Sequence, residues 1–392
     1  MIRKLNEEAL INVIWGATLL GGGGGGSLQS GLDMLESYKK AYPDKAPELE
    51  LITYDEMLEG EYAAVTAGMG SPQAIVGVDF SQYAINAFEL LQEMAKREGK
   101  NLKYSIPVEL GGFNTFVPML ISLVKGIPFI DADGAGRAVP ALETLLLHVN
   151  GCATSPLAMA NDVNDKITIE LADPYNAPLA EKLGRDVCIE FGMKSGLSGW
   201  MVSKEDIRDR IVDGSITLVE EVGKVFRNTA DKTMLLETLA EKGTVEAKVI
   251  GKGKVEKVFT DMSGGFDYGY VLVKGEDGAD YKVDFQNENL LVSKGEKGTF
   301  TPLMTVPDIT CMYCIQTIPG SSVKVGMPVS NADVKEGMVV GIGAIKVNEK
   351  WFKDENHDKK WWTVWKEYMD NIKYTGDNIP FDHLKLDIEH CN

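Results

Sequence analysis

Over roughly the first 160 residues, strand-like and helix-like patterns alternate at short spacing, and this rhythm constrains the fold most. Asn6 to Leu20 carries Leu10, Ile11, Ile14, Trp15 and Leu19 on one helical face. Ser27 is placed to cap a helix running to about Tyr42. Leu49–Thr53, Tyr62–Gly68, Tyr104–Glu109 and Ile127–Asp131 read as strands. Ser81–Glu98, Asn114–Lys125 and Arg137–His148 read as the helices between them. Such alternation predicts βαβ units, hence an α/β domain with a mostly parallel sheet and flanking helices.

The rhythm then changes. Asp173–Phe191, Lys204–Val212 and Ile216–Glu241 read as helices. From Thr244 onward, short β segments are separated by glycine-rich turns at hairpin-like spacing. A polar stretch from Asn161 to Lys166 suggests a division into an α/β domain over 1–165 and a second unit over 166–392. The second unit is a helical connection followed by a smaller β-rich domain. No long linker separates them, so an interdomain cleft is the expected place for a site.

Composition narrows the function classes. The chain has 392 residues, with 40 Lys+Arg against 58 Asp+Glu, a formal net charge of −18. That field repels polyanions, which argues against nucleic acid and anionic membrane surfaces as partners. No apolar run reaches the roughly 18–20 residues of a membrane span. The start, MIRKLNEEAL, lacks the apolar centre of an export signal. Five scattered cysteines point to a reducing compartment, so a cytoplasmic protein is expected. Cys311 and Cys314 form a lone CxxC without a second pair, a poor zinc or redox motif.

Three segments carry candidate chemistry. The first is the block Gly21 to Gly26, which opens a helix whose free N–H groups favour an anion. Gly23, Gly24 and Gly25 are candidate substrate-binding positions, the alternative being a tight packing turn. Neither a Walker loop nor a GxGxxG after a first strand is present, so no nucleotide cofactor is expected. In the second segment, Glu109 closes a strand before Gly111-Gly112, and Asn114 either binds a ligand or caps the next helix.

The third segment is Asp131-Ala132-Asp133-Gly134-Ala135-Gly136-Arg137. Two acids at a strand end can hold a cation or act as acid and base, and Arg137 can clamp a carboxylate. Glu143 and His148 follow on the predicted helix, about 140° apart around its axis unless it ends between them. In the β-rich region, Gln286, Asn287, Glu288 and Asn289 form a polar ladder suited to an amide-like ring, or else a solvated loop. Trp351, Trp361, Trp362 and Trp365 read as a packing element or oligomer contact, and a homo-oligomer is expected.

In order, the glycine block, P-V-E-L-G-G-F-N, I-P-F-I-D-A-D-G-A-G-R-A-V-P, G-G-F and F-Q-N-E-N-L resemble the S-methyl-thiohydantoin desulfurase-like family. The resemblance runs from about Leu5 to Val340. It implies an α/β amino-terminal domain, a smaller β-rich carboxyl-terminal domain, and genes of hydantoin utilisation as neighbours. It also implies hydrolysis of a five-membered N-heterocycle, losing a methylthio group to leave a hydantoin and methanethiol. Two departures stand out: Pro307-Asp308-Ile309 runs into Cys311 and Cys314, and the tail from Trp351 to Asn392 has no family pattern.

The leading expectation is therefore a hydrolase with Asp131, Asp133, Glu109 and Glu143 as catalytic groups. Asn114, Arg137 and the Gln286–Asn289 ladder would orient the ring. Either a divalent metal, zinc for preference, sits on Asp131, Asp133 and His148 and lowers the pKa of water, or, without a metal, one of the paired acids serves as general base. The competing expectations are a non-catalytic partner of a hydantoinase- or oxoprolinase-type enzyme, a small-molecule sensor, and a nucleotide-dependent enzyme.

Overall fold

The computed structural model describes residues 3–296, 298–352 and 358–384. Ten strands precede residue 244: β1 (Arg3–Leu5), β2 (Leu49–Ile52), β3 (Glu61–Gly70), β4 (Asn101–Pro107), β5 (Phe129–Ile130), β6 (Ala132–Asp133), β7 (Leu157–Ala160), β8 (Lys166–Ile169), β9 (Lys194–Ser203) and β10 (Val212–Asp213). Eight of them form one sheet in the order β1-β2-β5-β4-β3-β9-β7-β8, while β6 pairs with β10.

The expectation of a mostly parallel sheet holds at its centre. There β2, β5, β4 and β3 run parallel, joined through helices. Both flanks are antiparallel, because β1 turns back on β2, and β7, β8 and β9 enter without parallel crossovers. The polar stretch from Asn161 to Lys166 is the turn between β7 and β8, and the chain stays with this sheet through β9.

Eight further strands build the second layer: β11 (Ala247–Ser263), β12 (Phe266–Gly275), β13 (Asp280–Gln286), β14 (Glu288–Glu296), β15 (Thr299–Thr305), β16 (Ile309–Gln316), β17 (Pro328–Val329) and β18 (Val339–Ile345). All their pairings are antiparallel, in the order β15-β14-β13-β12-β11-β18-β16-β17. The result is an α/β domain and a β-rich domain. Among the described residues, no helix is long and apolar enough to cross a membrane.

Helices pack on the first sheet by apolar faces such as Tyr83, Ala84, Ala87, Phe88 and Leu91 of Ser81–Arg97. Glu7–Leu20 crosses Ser215–Asn228 so closely that Cβ atoms at Gly16 and Gly223 would lie 1.8 and 1.9 Å from the opposing carbonyls of Val219 and Asn12. Only glycine permits that approach. Two cores flank the first sheet, and both recruit residues from the second layer. Ile309, Cys311 and Tyr313 join one; Leu290 and Leu291 join the other. With large apolar side chains worth roughly 1.5–3 kcal/mol each when buried, this shared packing holds the layers together.

Three predicted helices differ, and of these Lys204–Val212 is a single turn, Lys204–Ile207, that leads into β10. Arg137–His148 is an irregular segment with one 3-10 turn, Leu142–Thr144, and one helical turn, Leu146–Val149, since Pro140 lacks the N–H a helix interior needs. Ile216–Glu241 is two helices, Ser215–Asn228 and Leu235–Glu241. The tryptophan-rich segment is a helix, Asp358–Asn371, whose Trp361, Trp365, Tyr368 and Met369 are buried in the second core. Cys152, Cys188, Cys311 and Cys314 are free and buried.

Candidate functional site

A cavity of about 90 Å³ lies where the two layers meet. The first domain lines it with Gly25 and Gly26, the end of β3 (Ala67–Gly70), Glu109, Asn114 and the Val139–Leu142 segment. Arg185 and Glu181 come from helix Ala177–Glu190, and Asn287 and Glu288 from the β13–β14 turn. Phe113, Ile75, Leu145 and Leu197 supply apolar wall.

Glu109 ends the segment after β4 and is 5% exposed. One carboxylate oxygen accepts the Asn114 side-chain amide at 2.7 Å and the other the Val139 N–H at 2.7 Å. The Asn114 oxygen accepts the Gly68 N–H at 3.0 Å, which ties Glu109 to the end of β3. Opposite stands Glu288, 3% exposed, with Oε2 lacking any hydrogen-bond partner. Burial raises both carboxyls above their ordinary range. At Glu288 the nearby Glu109 charge adds to the rise, while Arg137, Arg185 and the Gly25 N–H oppose it.

The glycine block explains how Glu288 arrives there. Gly22, Gly23, Gly25 and Gly26 have φ between +56° and +89°, which other residues rarely adopt. The Gly22 and Gly23 carbonyls accept the N–H groups of Asn289 and Asn331 at 2.8 Å, and the Gly25 carbonyl accepts those of Phe113 and Asn114. A Cβ at Gly24 would sit 2.1 Å from Glu288 Oε1. The block is a packing turn on both layers, and Gly25 and Gly26 also line the cavity.

The acidic loop is placed differently from its sequence reading. Asp131 Oδ1 accepts the N–H groups of Ile216 and Thr217 at 3.0 and 2.9 Å, and Oδ2 accepts the Thr217 hydroxyl. It caps helix Ser215–Asn228. Asp133, fully buried, folds back on its own loop and accepts the Ala135 and Gly136 N–H groups at 2.9 and 2.7 Å. Residues two apart on an extended chain point to the same side, but separate backbone donors draw these two apart.

Neither aspartate lines the cavity, nor does His148 on Leu146–Val149. Among the described residues, no three His, Cys, Asp or Glu side chains gather to hold a metal ion. Asp131 is taken up by Ile216 and Thr217 and Asp133 Oδ2 by its own loop, which leaves Asp133 Oδ1 without companion ligands, so Asp131, Asp133 and His148 do not fit a zinc centre. His383 is exposed at Phe381–His383, and His390 lies outside the described residues.

Arg137 also has structural partners where a substrate clamp was expected. Fully buried, it donates to the carbonyls of Ala138, Pro307, Asp308 and Asn289 at 2.8–3.0 Å and lies over Trp365. Its charge acts on Glu109 and Glu288 without its side chain lining the cavity. Glu143 accepts the Tyr368 hydroxyl at 2.6 Å behind the cavity wall.

The ladder divides in the same way. Gln286 accepts from Asn371, and Asn287 (φ +56°) forms the turn and accepts the Asp267 N–H. Asn289 donates to Thr310, leaving Glu288 and Asn287 at the cavity. The positive φ at Asn287 breaks the strand alternation on which the sequence reading relied.

Arg185 and Glu181 had no sequence signal beyond a Glu-Arg pair four apart on a helix. Arg185 pairs with Glu181 at 2.6 Å, donates to the carbonyls of Gly70, Gly265 and Pro140, and lies over Phe266. It thereby fastens the β11–β12 hairpin tip to the rim of the first sheet.

An α/β layer that brings Glu109 and the Arg185-paired Glu181, and an antiparallel layer that brings Glu288, define a two-domain protein with an interlayer site. The chain belongs to the S-Me-THD-like family: the family's N-terminal domain matches residues 8–171 and its C-terminal domain residues 175–358. The fold is also that of an X-ray crystal structure of a protein from Chromobacterium violaceum. That structure has a TM-score of 0.81 and 22% identity, over 97% of this chain and 100% of that one. No curated protein matches the chain.

Proposed function

We propose that the chain hydrolyses an S-methyl-thiohydantoin-like ring at this cavity, releasing methanethiol and leaving a hydantoin. The observation that carries the proposal is the pairing of Glu109 with Glu288 across one cavity, in a chain of the S-Me-THD-like family. Two buried acids that repel each other favour one ionised and one protonated partner. Glu109, held by two N–H donors, is the better base. Glu288, with a free oxygen, is the better acid.

Water adds through its oxygen to the ring carbon bearing sulfur, and its first proton passes by Glu109 to the ring nitrogen. Collapse then breaks the C–S bond. Methanethiolate takes the Glu288 proton, which the hydroxyl proton replaces. Asn114 holds Glu109 in place, and the apolar wall excludes bulk water. The test is methanethiol release from an S-methyl-thiohydantoin by wild type, Glu109→Gln and Glu288→Gln. Each variant is expected to lose about 10²–10⁴ in kcat while folding normally. Full turnover in either variant, or none in wild type, overturns the proposal.

A further inference from the structure

A second, smaller cavity of about 20 Å³ lies on the other side of the glycine block. Gly23, Gly24, Asp267, Asn331 and Thr260 are among its lining residues. It shares Gly26, Asn287 and Ala332 with the first, so the two adjoin. Asp267 is 6% exposed, yet its Oδ1 has no hydrogen-bond partner, and neither does Oδ1 of Asn331.

The Asn331 side chain and the Asp267 backbone are held in place. Asn331 donates its side-chain amide to the Asn287 carbonyl at 2.9 Å and its N–H to Gly23, which leaves its oxygen as the free atom. Asp267 exchanges two backbone hydrogen bonds with Asn287, through that residue's N–H and its side-chain oxygen. Among the described residues, no lysine, arginine or histidine lines the cavity. Arg185 acts on Asp267 only through space and is itself paired to Glu181. Exposed Thr260 gives the cavity an edge open to solvent.

A buried carboxylate and an amide oxygen, both unpartnered, call for a cation or a donor-only group. One carboxylate is too little charge for a divalent ion, which gathers several oxygens and usually more than one acid. We propose that this cavity is a subsite for one small monovalent cation, either an inorganic ion or an ammonium group. The ion bridges Asp267 and Asn331 and braces the Gly23–Gly24 turn against which Glu288 packs. The proposal does not depend on the reaction assigned above.

The test is thermal denaturation of the full chain in choline chloride against sodium, potassium and ammonium chloride at equal ionic strength. At least one small cation is expected to raise Tm by about 2 °C or more in wild type, with saturation. The nearly isosteric Asp267→Asn should remove the difference. No saturable difference in wild type, or the same one in the variant, overturns the proposal. A rubidium-soaked crystal gives a readout that needs no variant: an anomalous peak between Asp267 and Asn331 supports the subsite, and a water there overturns it. Competition by an aminoalkyl-substituted hydantoin, but not its alkyl counterpart, would assign the cation to the ligand itself. Saturation by a free ion without such competition assigns it to the solvent.

Discussion

Replacing Gly24 by alanine tests whether the glycine block positions the carboxylate that the reaction needs. Gly24 lies outside the left-handed region, so alanine imposes no backbone penalty there. The new Cβ would lie 2.1 Å from Glu288 Oε1 and 2.3 Å from Cγ. Ordinary nonbonded contacts need roughly 3 Å or more, so the carboxylate must retreat by about 1 Å. A displacement of that size at a catalytic group costs about 10²-fold in kcat, and overpacking costs about 1–3 kcal/mol of stability. The assay is steady-state methanethiol release by Gly24→Ala, with circular dichroism and a urea melt to show that the fold survives. The expected result is a folded protein with kcat down about a hundredfold. A folded variant with wild-type kcat would refute both the role of Glu288 and the idea that the glycines place it.

The acidic loop supplies two further predictions. Burial pushes Asp133 up to about 7 from the ordinary 3.8, so between about pH 4 and pH 7 the native state holds a proton that the unfolded chain has released. Stability is therefore fully present below that window and falls as pH rises through it, by at most on the order of 4 kcal/mol. Glu109 and Glu288 are raised by burial too, so Asp133→Asn should reduce, not abolish, the loss of stability between urea melts at pH 5 and pH 8; an unchanged difference would contradict this reading. Asp131→Ala should lose about 0.5–2 kcal/mol from the cap on Ser215–Asn228 while kcat stays near wild type. A collapse of kcat in a stable Asp131→Ala protein would return that residue to the chemistry.

Local pattern was a good guide wherever a single element decided the outcome. The strands β2, β3 and β4, the helix Ser81–Arg97 and the β hairpins were all readable from periodicity and turn residues. Glu109 was legible as a cavity residue because a strand end followed by two glycines leaves a side chain uncovered. Asp131 and Asp133 looked equally suitable, but their partners are backbone donors as distant as Ile216, which no local spacing reveals. Glu288 was visible only as one of four polar neighbours. Which one reaches the cavity depends on the positive φ of Asn287. Arg185 is marked in sequence only by Glu181 four residues before it, since the carbonyls it binds lie on β3, the Pro140 loop and the Gly265 hairpin tip.

The hydrogen bonding of the glycine block ties the two layers to one another at the cavity. Its carbonyls are divided between the layers, Gly22 and Gly23 bonding to Asn289 and Asn331, Gly25 to Phe113 and Asn114. Association of the layers and completion of the site are thus a single event. Neither domain alone holds both carboxylates, and an incompletely assembled chain displays one acid with no counterpart. Under the proposed reaction, turnover would report assembly directly: a nascent or partly unfolded chain would be silent, and activity would begin when the second layer closes on the glycines.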